Sequence, residues 1–259
     1  MAYQVKVIPK KKRRNGQGNP EMRGPYGLEV IESCVVCPVA HERAFCDLPE
    51  PTLKALDAIS SAATYPKEAV LFVEGQEPRG VFVLCSGRVK LATNSADGKS
   101  IIVRLAEAGE VIGLSGTLSG NPYELTAQTL EPLQAKFIPR DAFLQFLQAH
   151  GEAAVRVAEI LSRIYHATLL EVRYLGFSSS TAEKLARFLL DQPSTAVPGN
   201  GHIRVHLTLT HQEIGEMIGA SRETVTRLFG QFKREGLIEV HGSSLTVVNK
   251  GGLQRLLDR

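Results

Sequence analysis

The residues with the clearest capacity for chemistry are the four cysteines of this 259-residue chain. Cys34, Cys37 and Cys46 fall close together, whereas Cys85 stands apart. Thiolates bind zinc and iron, and two neighbouring thiols can form a reversible disulfide. No apolar segment of signal-peptide length follows the N-terminus, so we expect the thiols to stay reduced. A metal or redox role is therefore favoured over a structural disulfide.

Several chemistries remain open for these thiols. A tetrahedral zinc site would take the three clustered cysteines with His41 or Cys85. A thiol–disulfide switch would need only Cys34 and Cys37, and four thiolates suffice for an iron–sulfur cluster. Cys85 follows a run of apolar residues, where a free cysteine commonly serves as a small buried hydrophobe. Spacing alone does not select one metal among these.

A second group of functional residues lies near the C-terminus. Thr210 and Glu213 form a capping box that predicts the start of a helix, which ends at Gly219-Ala220. Ser221 is a favourable N-cap for another helix directly after this turn. Two short helices joined by a tight turn with glycine are typical of a helix-turn-helix.

The second of these helices carries the candidate DNA contacts. Its apolar positions predict one buried face, which leaves four polar residues outward near the N-terminal end: Arg222, Glu223, Thr226 and Arg227. In the major groove, arginine donates two hydrogen bonds to guanine and glutamate accepts from cytosine. Two short apolar runs flank His241-Gly242-Ser243 as a hairpin, which completes a winged helix-turn-helix.

The middle of the chain must position these two groups, and its hydrophobic pattern changes twice. Short β-branched runs from about 64 to 139 predict a small all-β sandwich or barrel, with a hairpin turn at Asp97-Gly98. Apolar residues then recur in steps of three and four from Gly151 to Gly176. This spacing predicts one long helix.

The long helix is predicted to pack against a partner. At 1.5 Å per residue it would extend for roughly 40 Å, which is more than a small β domain needs to cover its core. Its apolar stripe therefore predicts a homodimer through Val157, Leu161, Ile164 and Thr168.

Charge is distributed unevenly along the chain. The first 25 residues have a net charge of +6, which leaves −3 for residues 26–259 against +3 overall. Such a basic segment is usually a solvated, disordered arm. No stretch approaches the ~18 uninterrupted apolar residues of a membrane helix. We expect a cytoplasmic protein with no membrane partner.

The C-terminal motif resembles the CRP/FNR family of bacterial transcription regulators. The resemblance rests on the residues 209–215, 221–228 and 236–238, and the order of domains extends it over roughly 50–259. It implies an α+β fold with a cyclic-nucleotide-binding-like β-roll (jelly roll), a long dimerisation helix and a winged helix-turn-helix. The expected boundaries are a basic tail, a cysteine segment, the roll, the helix and the DNA-binding domain, at 1–27, 28–50, 51–148, 149–177 and 178–259.

The resemblance also implies partners and contacts. Family members bind palindromic promoter sites on double-stranded DNA as dimers, and RNA polymerase is their further partner. By this resemblance the base-reading residues would be Arg222, Glu223 and Arg227. The DNA backbone would be contacted by Thr210, Gln212, Ser221 and Thr226. The Arg-Glu pair follows the cyclic-AMP receptor version, so we expect a TGTGA-like half-site.

The nucleotide pocket of those receptors is not preserved in the sequence. They hold the ribose and the cyclic phosphate with a Gly-Glu pair and a later Arg-Ser pair. The matching places here are Gly113-Leu114 and Tyr123-Glu124. A carboxylate repels a phosphate, so cyclic AMP is not expected to bind by this route.

The cysteines resemble those of the oxygen-sensing branch, in which three clustered cysteines and one distant cysteine hold an iron–sulfur cluster. The resemblance implies four ligands: Cys34, Cys37, Cys46 and Cys85. Two features differ from the branch. Eight residues separate Cys37 from Cys46, which is a longer gap, and Lys136 stands where the branch has its distant cysteine. Cys85 would then act from an earlier strand.

We therefore predict a DNA-binding transcription regulator that responds to oxygen, nitric oxide or redox state through such a cluster. The alternative is the same regulator with a zinc site, a thiol switch or a small-molecule effector in the roll. An enzyme is not expected. Ser115, His150 and Asp141 are the residue types of a catalytic triad, but no nucleophile elbow frames a serine, and the sequence has no Gly-rich phosphate loop. A redox-relay module would leave the winged helix unexplained.

Overall fold

The computed structural model describes residues 25–95, 98–176, 180–192, 194–196, 202–241 and 244–257. They fall into two compact units, one ending at Arg173 and the other beginning at Tyr174. The predicted basic tail, except for its last three residues, lies outside the described residues, as does Asp97 of the predicted hairpin turn. None of the helices that the structure describes combines the length and apolarity needed to cross a membrane.

The first unit is a β-roll preceded by the cysteine segment and helix α1 (Glu50–Ala58). Its eight strands are β1 (Ser61–Tyr65), β2 (Val70–Phe72), β3 (Gly80–Ser86), β4 (Arg88–Asn94), β5 (Ser100–Glu107), β6 (Val111–Ile112), β7 (Thr126–Thr129) and β8 (Leu133–Pro139). They form two antiparallel four-stranded sheets, in the orders β1-β8-β3-β6 and β2-β7-β4-β5. The expected roll is confirmed, and β4 and β5 pair as the predicted hairpin.

The roll contains elements that the sequence did not predict. Helix α2 (Leu114–Ser119) is a short helix directly after β6, and α3 (Arg140–Ala149) follows β8. Phe143 and Phe146 of α3 are buried, and they pack in the same core as α1 and β3. α3 therefore covers one side of the roll beside the predicted long helix.

The long helix α4 spans Gly151–Gly176, which are the predicted bounds. Its N-terminal half is part of the hydrophobic core of the first unit, through Ala153, Val157 and Ile160. The cysteine segment lies in the same core, where Phe45 and Cys46 are buried. One apolar core thus joins the cysteine segment, the roll and the start of α4.

The second unit is a winged helix-turn-helix. Its helices are α5 (Thr181–Asp191), α6 (His211–Ile218), α7 (Arg222–Arg234) and α8 (Lys250–Leu257). Its strands are β9 (Ser194–Ala196), β10 (Ile203–His206), β11 (Ile238–His241) and β12 (Ser244–Val247), in the order β11-β12-β10-β9. The predicted hairpin is the pair β11 and β12, and α8 and β9 were not predicted. The expected α+β fold with a C-terminal winged helix is confirmed.

Candidate DNA-binding and sensor sites

Local capping sets the geometry of the helix-turn-helix. The Thr210 hydroxyl accepts from the backbone N–H of Glu213, and the Glu213 side chain accepts from the N–H of Thr210, so the capping box forms as predicted. α6 ends at Gly219, whose φ of 68° lies in the left-handed region that suits glycine. The Ser221 hydroxyl then accepts from the N–H of Thr224 and starts α7.

The predicted base-reading residues share one exposed surface. Arg222, Glu223 and Arg227 are exposed on α7, and so is Thr226. The opposite face of the helix is buried in the core of the second unit, through Val225, Leu228, Phe229 and Phe232. α7 is therefore held by its apolar side, and its N-terminal end presents donors and one carboxylate outward.

Electrostatics at the start of α7 keep Glu223 ionised. Hydrogen bonds from its own backbone N–H and from the Ser221 side chain lower the pKa of Glu223. A helix N-terminus favours a negative charge for the same reason. Glu223 is therefore present as an acceptor, which is the form that pairs with the amino group of cytosine.

The structure adds His211, which the sequence did not single out, to this surface. His211 Nδ1 lies 2.9 Å from Thr226 Oγ1, and the Thr226 hydroxyl donates to the carbonyl of Arg222. The hydroxyl has one proton, so the histidine Nδ1–H is the donor between them. The ring also stacks on Phe229, with centroids 4.7 Å apart. The available signal was its position between Thr210 and Gln212, both of which were assigned to the DNA backbone.

His211 thus links α6 to the exposed face of α7. Burial lowers the pKa of His211, and the charges of Arg222 and Lys233 lower it further. Thr210, His211, Gln212 and Arg222 line one pocket at the start of α6. Two residues assigned to the DNA backbone, Thr210 and Gln212, therefore meet one base-reading residue, Arg222, at a concave surface.

The cysteine site draws on distant parts of the chain. Cys34, Cys46 and Cys85 are buried and Cys37 is half-buried, and all four thiols are free. Cys46 lies within electrostatic range of the other three, and Cys85 lies within range of Cys34 and Cys37. The four predicted ligands are therefore brought to one place in the fold.

Cys85 lies close to Lys136 on the adjacent strand. Lys136 on β8 pairs with Val83 on β3, and Cys85 follows Val83 by two residues on the same strand. The two side chains are also close enough to interact electrostatically. Cys85 on β3 therefore lies near the position on β8, here Lys136, where the oxygen-sensing branch has its distant cysteine.

Lys136 itself is buried, with 3% of its surface exposed. Its ammonium group forms an ion pair with Asp57 of α1 and donates to the carbonyl of Glu32 at 3.2 Å. Asp57 Oδ1 in turn accepts from the N–H of Cys34 at 3.2 Å. The pair fastens the cysteine segment to both α1 and the sheet.

Burial governs the thiols. It raises the pKa of Cys34, that of Cys46 to about 12 and that of Cys85 to about 11. A thiol attacks a disulfide or binds a metal as the thiolate, so burial disfavours a thiol–disulfide switch that uses Cys34, and a metal bound by these thiols would have to displace their protons. His41 is exposed and pairs with Asp47. Within the described residues, no set of three or more His, Cys, Asp and Glu side chains is arranged to hold a single metal ion.

A cavity of about 340 Å³ lies between the roll and α4. Gly113, Leu114, Tyr123 and Glu124, the residues that replace the nucleotide-binding pairs, all line it. Tyr123 is buried, stacks on Phe72 with ring centroids 4.1 Å apart, and its hydroxyl donates to the carbonyl of Gly80 at 2.6 Å. The Glu124 carboxylate accepts from Ser115. The roll therefore keeps a pocket with altered polar groups.

Three of the four α4 residues that are predicted to dimerise pack against the core of the first unit, whereas Thr168 is exposed. Val157 is 4% exposed and lies in the core, and Leu161 and Ile164 pack against that core. Leu161, Ile164 and Thr168 also line the cavity. Another face of the helix is exposed, and it carries Val155 and Tyr165 with 59% and 66% of their surfaces accessible.

The three residues considered for an enzyme do not form a constellation. Ser115 donates to Glu124, whereas His150 lies beside Thr52 and Glu152. Asp141 is exposed and lies 3.8 Å from Arg140. Each has a different partner in the part of the chain that the structure describes.

Two family models match the chain, one for each unit. The cyclic nucleotide-binding domain matches residues 62–150, and the Crp-like helix-turn-helix domain matches residues 183–256. The roll and the winged helix described above are the regions that they cover.

Curated relatives and solved structures match over most of their lengths. The CRP-like cAMP-activated global transcriptional regulator of Mycobacterium tuberculosis is 24% identical over 207 residues, which are 80% of this chain and 92% of that protein. The cAMP-activated global transcriptional regulator CRP of Pasteurella multocida is 26% identical over 202 residues, 76% of this chain and 95% of its own. These relatives are transcription regulators and not enzymes.

Two solved structures show the same fold. A CooA mutant from Carboxydothermus hydrogenoformans has a TM-score of 0.67 at 22% identity, covering 77% of this chain and 88% of its own. FixK2 from Bradyrhizobium japonicum has a TM-score of 0.65 at 21% identity, covering 76% of this chain and 97% of its own. The chain has a roll that matches the cyclic nucleotide-binding domain, then a long helix, then a Crp-like helix-turn-helix. It therefore belongs to the CRP/FNR family of DNA-binding transcription regulators.

Proposed function

We propose that the chain acts in the cytoplasm as a homodimer that reads a palindromic, TGTGA-like promoter site through α7. The observation that carries this proposal is the exposure of Arg222, Glu223 and Arg227 on one surface of a helix whose other side is buried. These are the residue types that recognise guanine and cytosine in the major groove. Contact with RNA polymerase is proposed on family membership.

A mobility-shift titration tests the site. The probe contains two TGTGA-like half-sites in inverted repeat, with centres one helical turn apart. We expect affinity at least about 1,000-fold above that for a scrambled fragment at the same salt concentration, because specific and nonspecific binding commonly differ by that much or more. Equal affinity for both fragments would refute the assignment of the half-site.

For the dimer we propose the exposed face of α4. Its residues recur in steps of three and four, as in a coiled coil: Val155, Ala158, Ser162, Tyr165 and Leu169. All five are exposed, whereas Val157 of the predicted stripe is buried in its own unit. Exposed apolar residues along a helix are stabilised when a second copy covers them. The partner helix therefore lies on the side of α4 that faces away from the roll.

For the signal we propose an iron–sulfur cluster held by Cys34, Cys37, Cys46 and Cys85. The support is the convergence of all four thiols, from a 13-residue segment and from β3, beside the cationic groups of Lys136 and Arg43. Cations offset the negative charge of four thiolates. A cluster bound there would supply sensitivity to oxygen or nitric oxide.

The arrangement argues against a single zinc ion. A single zinc ion requires its thiolates at a common distance of about 2.3 Å. A cluster is several atoms wide, so its thiolates lie further apart. In the described ranges the thiols converge without any three being placed for one ion. His41, the alternative zinc ligand, is exposed.

Anaerobic reconstitution with iron and sulfide tests the cluster. We expect brown protein that bleaches in oxygen or nitric oxide while its DNA affinity changes, and Cys34→Ser, Cys37→Ser, Cys46→Ser and Cys85→Ser should be equally damaging. Equality distinguishes the proposals, because a buried structural cysteine at position 85 would give only a packing defect. Colourless protein with one zinc per chain would replace the cluster by a zinc site, and protein with no metal would refute both.

We also propose that cyclic AMP is not the effector, although the named relatives are cAMP-activated. The cavity of the roll has Glu124 in the region where the receptors place an arginine against the phosphate. Its arginine, Arg104, is paired with Glu110. Calorimetry with cyclic AMP is the direct test, and a stoichiometric binding heat would overturn this part of the proposal.

A further inference from the structure

The cavity between the roll and α4 has a composition that selects among ligands. Its volume, about 340 Å³, is at the lower end of the range for small-molecule pockets. Its walls are largely aromatic and aliphatic, with contributions from Phe72, Leu91, Val103, Leu161 and Ile164. A ligand of matching chemistry has a compact, mainly apolar body.

The charged groups of the lining determine the sign of the ligand. Arg104 Nη1 forms an ion pair with Glu110 Oε2, and Glu110 Oε1 accepts from the N–H of Glu107 at 2.9 Å. Arg104 is the cation among the described residues that line the cavity, and the carboxylate of Glu110 offsets its charge. The lining therefore has no net positive charge to attract a phosphate or a carboxylate.

Glu124 provides the opposite chemistry. Glu124 is an exposed residue of the cavity lining, and its Oε1 accepts from the Ser115 hydroxyl. A carboxylate has two oxygens and about four lone-pair sites, so one hydroxyl does not saturate it. It remains an acceptor for a charged N–H donor, and such charge-assisted hydrogen bonds are the stronger ones.

We propose that this cavity binds a small organic cation: a compact apolar or aromatic molecule that carries one protonated amine, with the amine on Glu124 and the apolar body against Phe72, Leu91 and Ile164. The inference concerns the roll alone and does not depend on the cysteine site. It rests on the proposed regulator function only for any effect on DNA.

Isothermal titration calorimetry with the full chain tests which class of ligand the cavity binds. The probes are tryptamine, the neutral indole-3-ethanol and the anionic indole-3-acetate, which share one ring system and differ in charge, together with cyclic AMP. We expect tryptamine to bind at least tenfold more tightly than indole-3-acetate, and cyclic AMP to give no binding heat. Equal binding of the three indoles, a preference for the anion, or no binding of tryptamine would overturn the proposal.

Two variants and a control locate the site. Glu124→Gln should reduce the preference for the amine to within about twofold, because the neutral amide lacks the charge that distinguishes the protonated amine from the neutral and anionic probes. Ala167→Trp should abolish binding of all three indoles by filling the cavity, with folding checked by circular dichroism. Glu68→Gln removes an exposed carboxylate elsewhere on the roll and should change nothing. If Glu124→Gln keeps the full preference for the amine, the amine binds elsewhere.

The same preparations are tested in the mobility-shift assay. Tryptamine binding without sequence-specific DNA binding would refute the proposed function and leave the cavity assignment intact. Specific DNA binding without tryptamine binding would do the reverse.

Discussion

The DNA-binding surface and the cysteine site differ in how far along the chain their contacts reach. Thr210, His211 and Thr226 make their contacts within a segment of seventeen residues. The cysteine site instead joins Cys34 to Asp57, Cys85 and Lys136, across about one hundred residues. The first is built by helix caps, which act locally, and the second by the order of strands in a sheet.

This difference predicts different sensitivities to mutation. The helix-turn-helix should respond to changes in its own caps and turns, and its response should stay within the second unit. The cysteine site should respond to changes in any of the elements that converge on it. The predictions that follow test that contrast, from the largest expected effect to the smallest.

The largest effect is expected at the exposed face of α4. Tyr165→Glu combined with Leu169→Glu should give monomers, because two charges per helix would be buried against each other. Affinity for a palindromic site should fall by about 100-fold or more, since the second half-site is no longer bound at high effective concentration. Sedimentation and mobility-shift titrations measure the two effects.

Arg163→Glu is the matched control for that variant. It places the same charge on an exposed position of α4, outside the steps of three and four. It should remain dimeric. If the double variant also sediments as a dimer, the proposed face is wrong.

The buried ion pair of the cysteine site should be the next most sensitive feature. Lys136→Met leaves the half-buried carboxylate of Asp57 without its partner, and we expect a loss of about 2 kcal/mol, below the roughly 3–5 kcal/mol that is typical when the unpaired charge is fully buried. Lys54→Met breaks the exposed pair with Glu50 and should cost less than about 0.5 kcal/mol. Hydrogen exchange should show the loss in residues 25–173 and not in the second unit. An equal loss of hydrogen-exchange protection in both units would contradict the expected difference between the cysteine site and the helix-turn-helix.

The pH dependence of stability offers a second measure of the same pair. Burial raises the pKa of Asp57, but hydrogen bonds from Lys136 and Ser33 outweigh it and bring the value to about 2. Because this folded value lies below the usual 3.8, the ionised carboxylate stabilises the first unit fully above about pH 4. The contribution is lost as the pH falls through about 2. The stability difference between wild type and Asp57→Asn should therefore shrink over that interval in denaturant titrations, and a constant difference would contradict the assignment.

Replacement of the base-reading residues should have a smaller and local effect. Arg222→Ala, Glu223→Ala and Arg227→Ala should each lose about 1–3 kcal/mol of discrimination at one base position, with nonspecific affinity little changed. Gln231→Ala, further along α7, is the control. A uniform loss on all sequences, with a weaker salt dependence, would show that the arginines contact only phosphates.

Two glycines of the helix-turn-helix should give effects of similar size or smaller, and Gly230 should give the smallest. A Cβ at Gly215 would lie 2.5 Å from the carbonyl oxygen of Ala220, so Gly215→Ala should destabilise the unit by about 1–3 kcal/mol. A Cβ at Gly230 would meet nothing closer than 3.6 Å, so Gly230→Ala should stabilise α7 by about 0.5–1 kcal/mol. Thermal unfolding measures both changes in stability. If both variants were stabilised, or both destabilised, the close approach at the turn would not explain the effect of an added Cβ.

The same contrast explains what the sequence could predict. The capping box at Thr210, the cap at Ser221 and the bounds of α4 follow from local patterns, and all three are present. The contact between His211 and Thr226 was missed because it depends on how two helices cross. Lys136 was noted as a departure, but its pairing with Asp57 requires the strand order β1-β8-β3, which periodicity does not contain.

The faces of α4 show the limit most clearly. Periodicity located an apolar stripe through Val157 and Ile164, but it does not tell which partner covers a stripe. The roll covers this one, and a second set of less apolar residues remains exposed. Leu161 and Ile164 are half-buried and Thr168 is exposed, so their assignment to a dimer interface stays a prediction.

The shared core of the cysteine segment and α4 also has a thermodynamic consequence. Phe45 and Cys46 are buried in the same core as Ala153 and Val157, and Asp47 accepts from Arg156 of α4 at 3.0 Å. Any species that binds only the folded arrangement of these thiols must raise the melting temperature of the whole first unit, by linkage. The melting temperature of the start of α4 should therefore report whether the cysteines have bound such a species. A calorimeter could follow this binding without a chromophore.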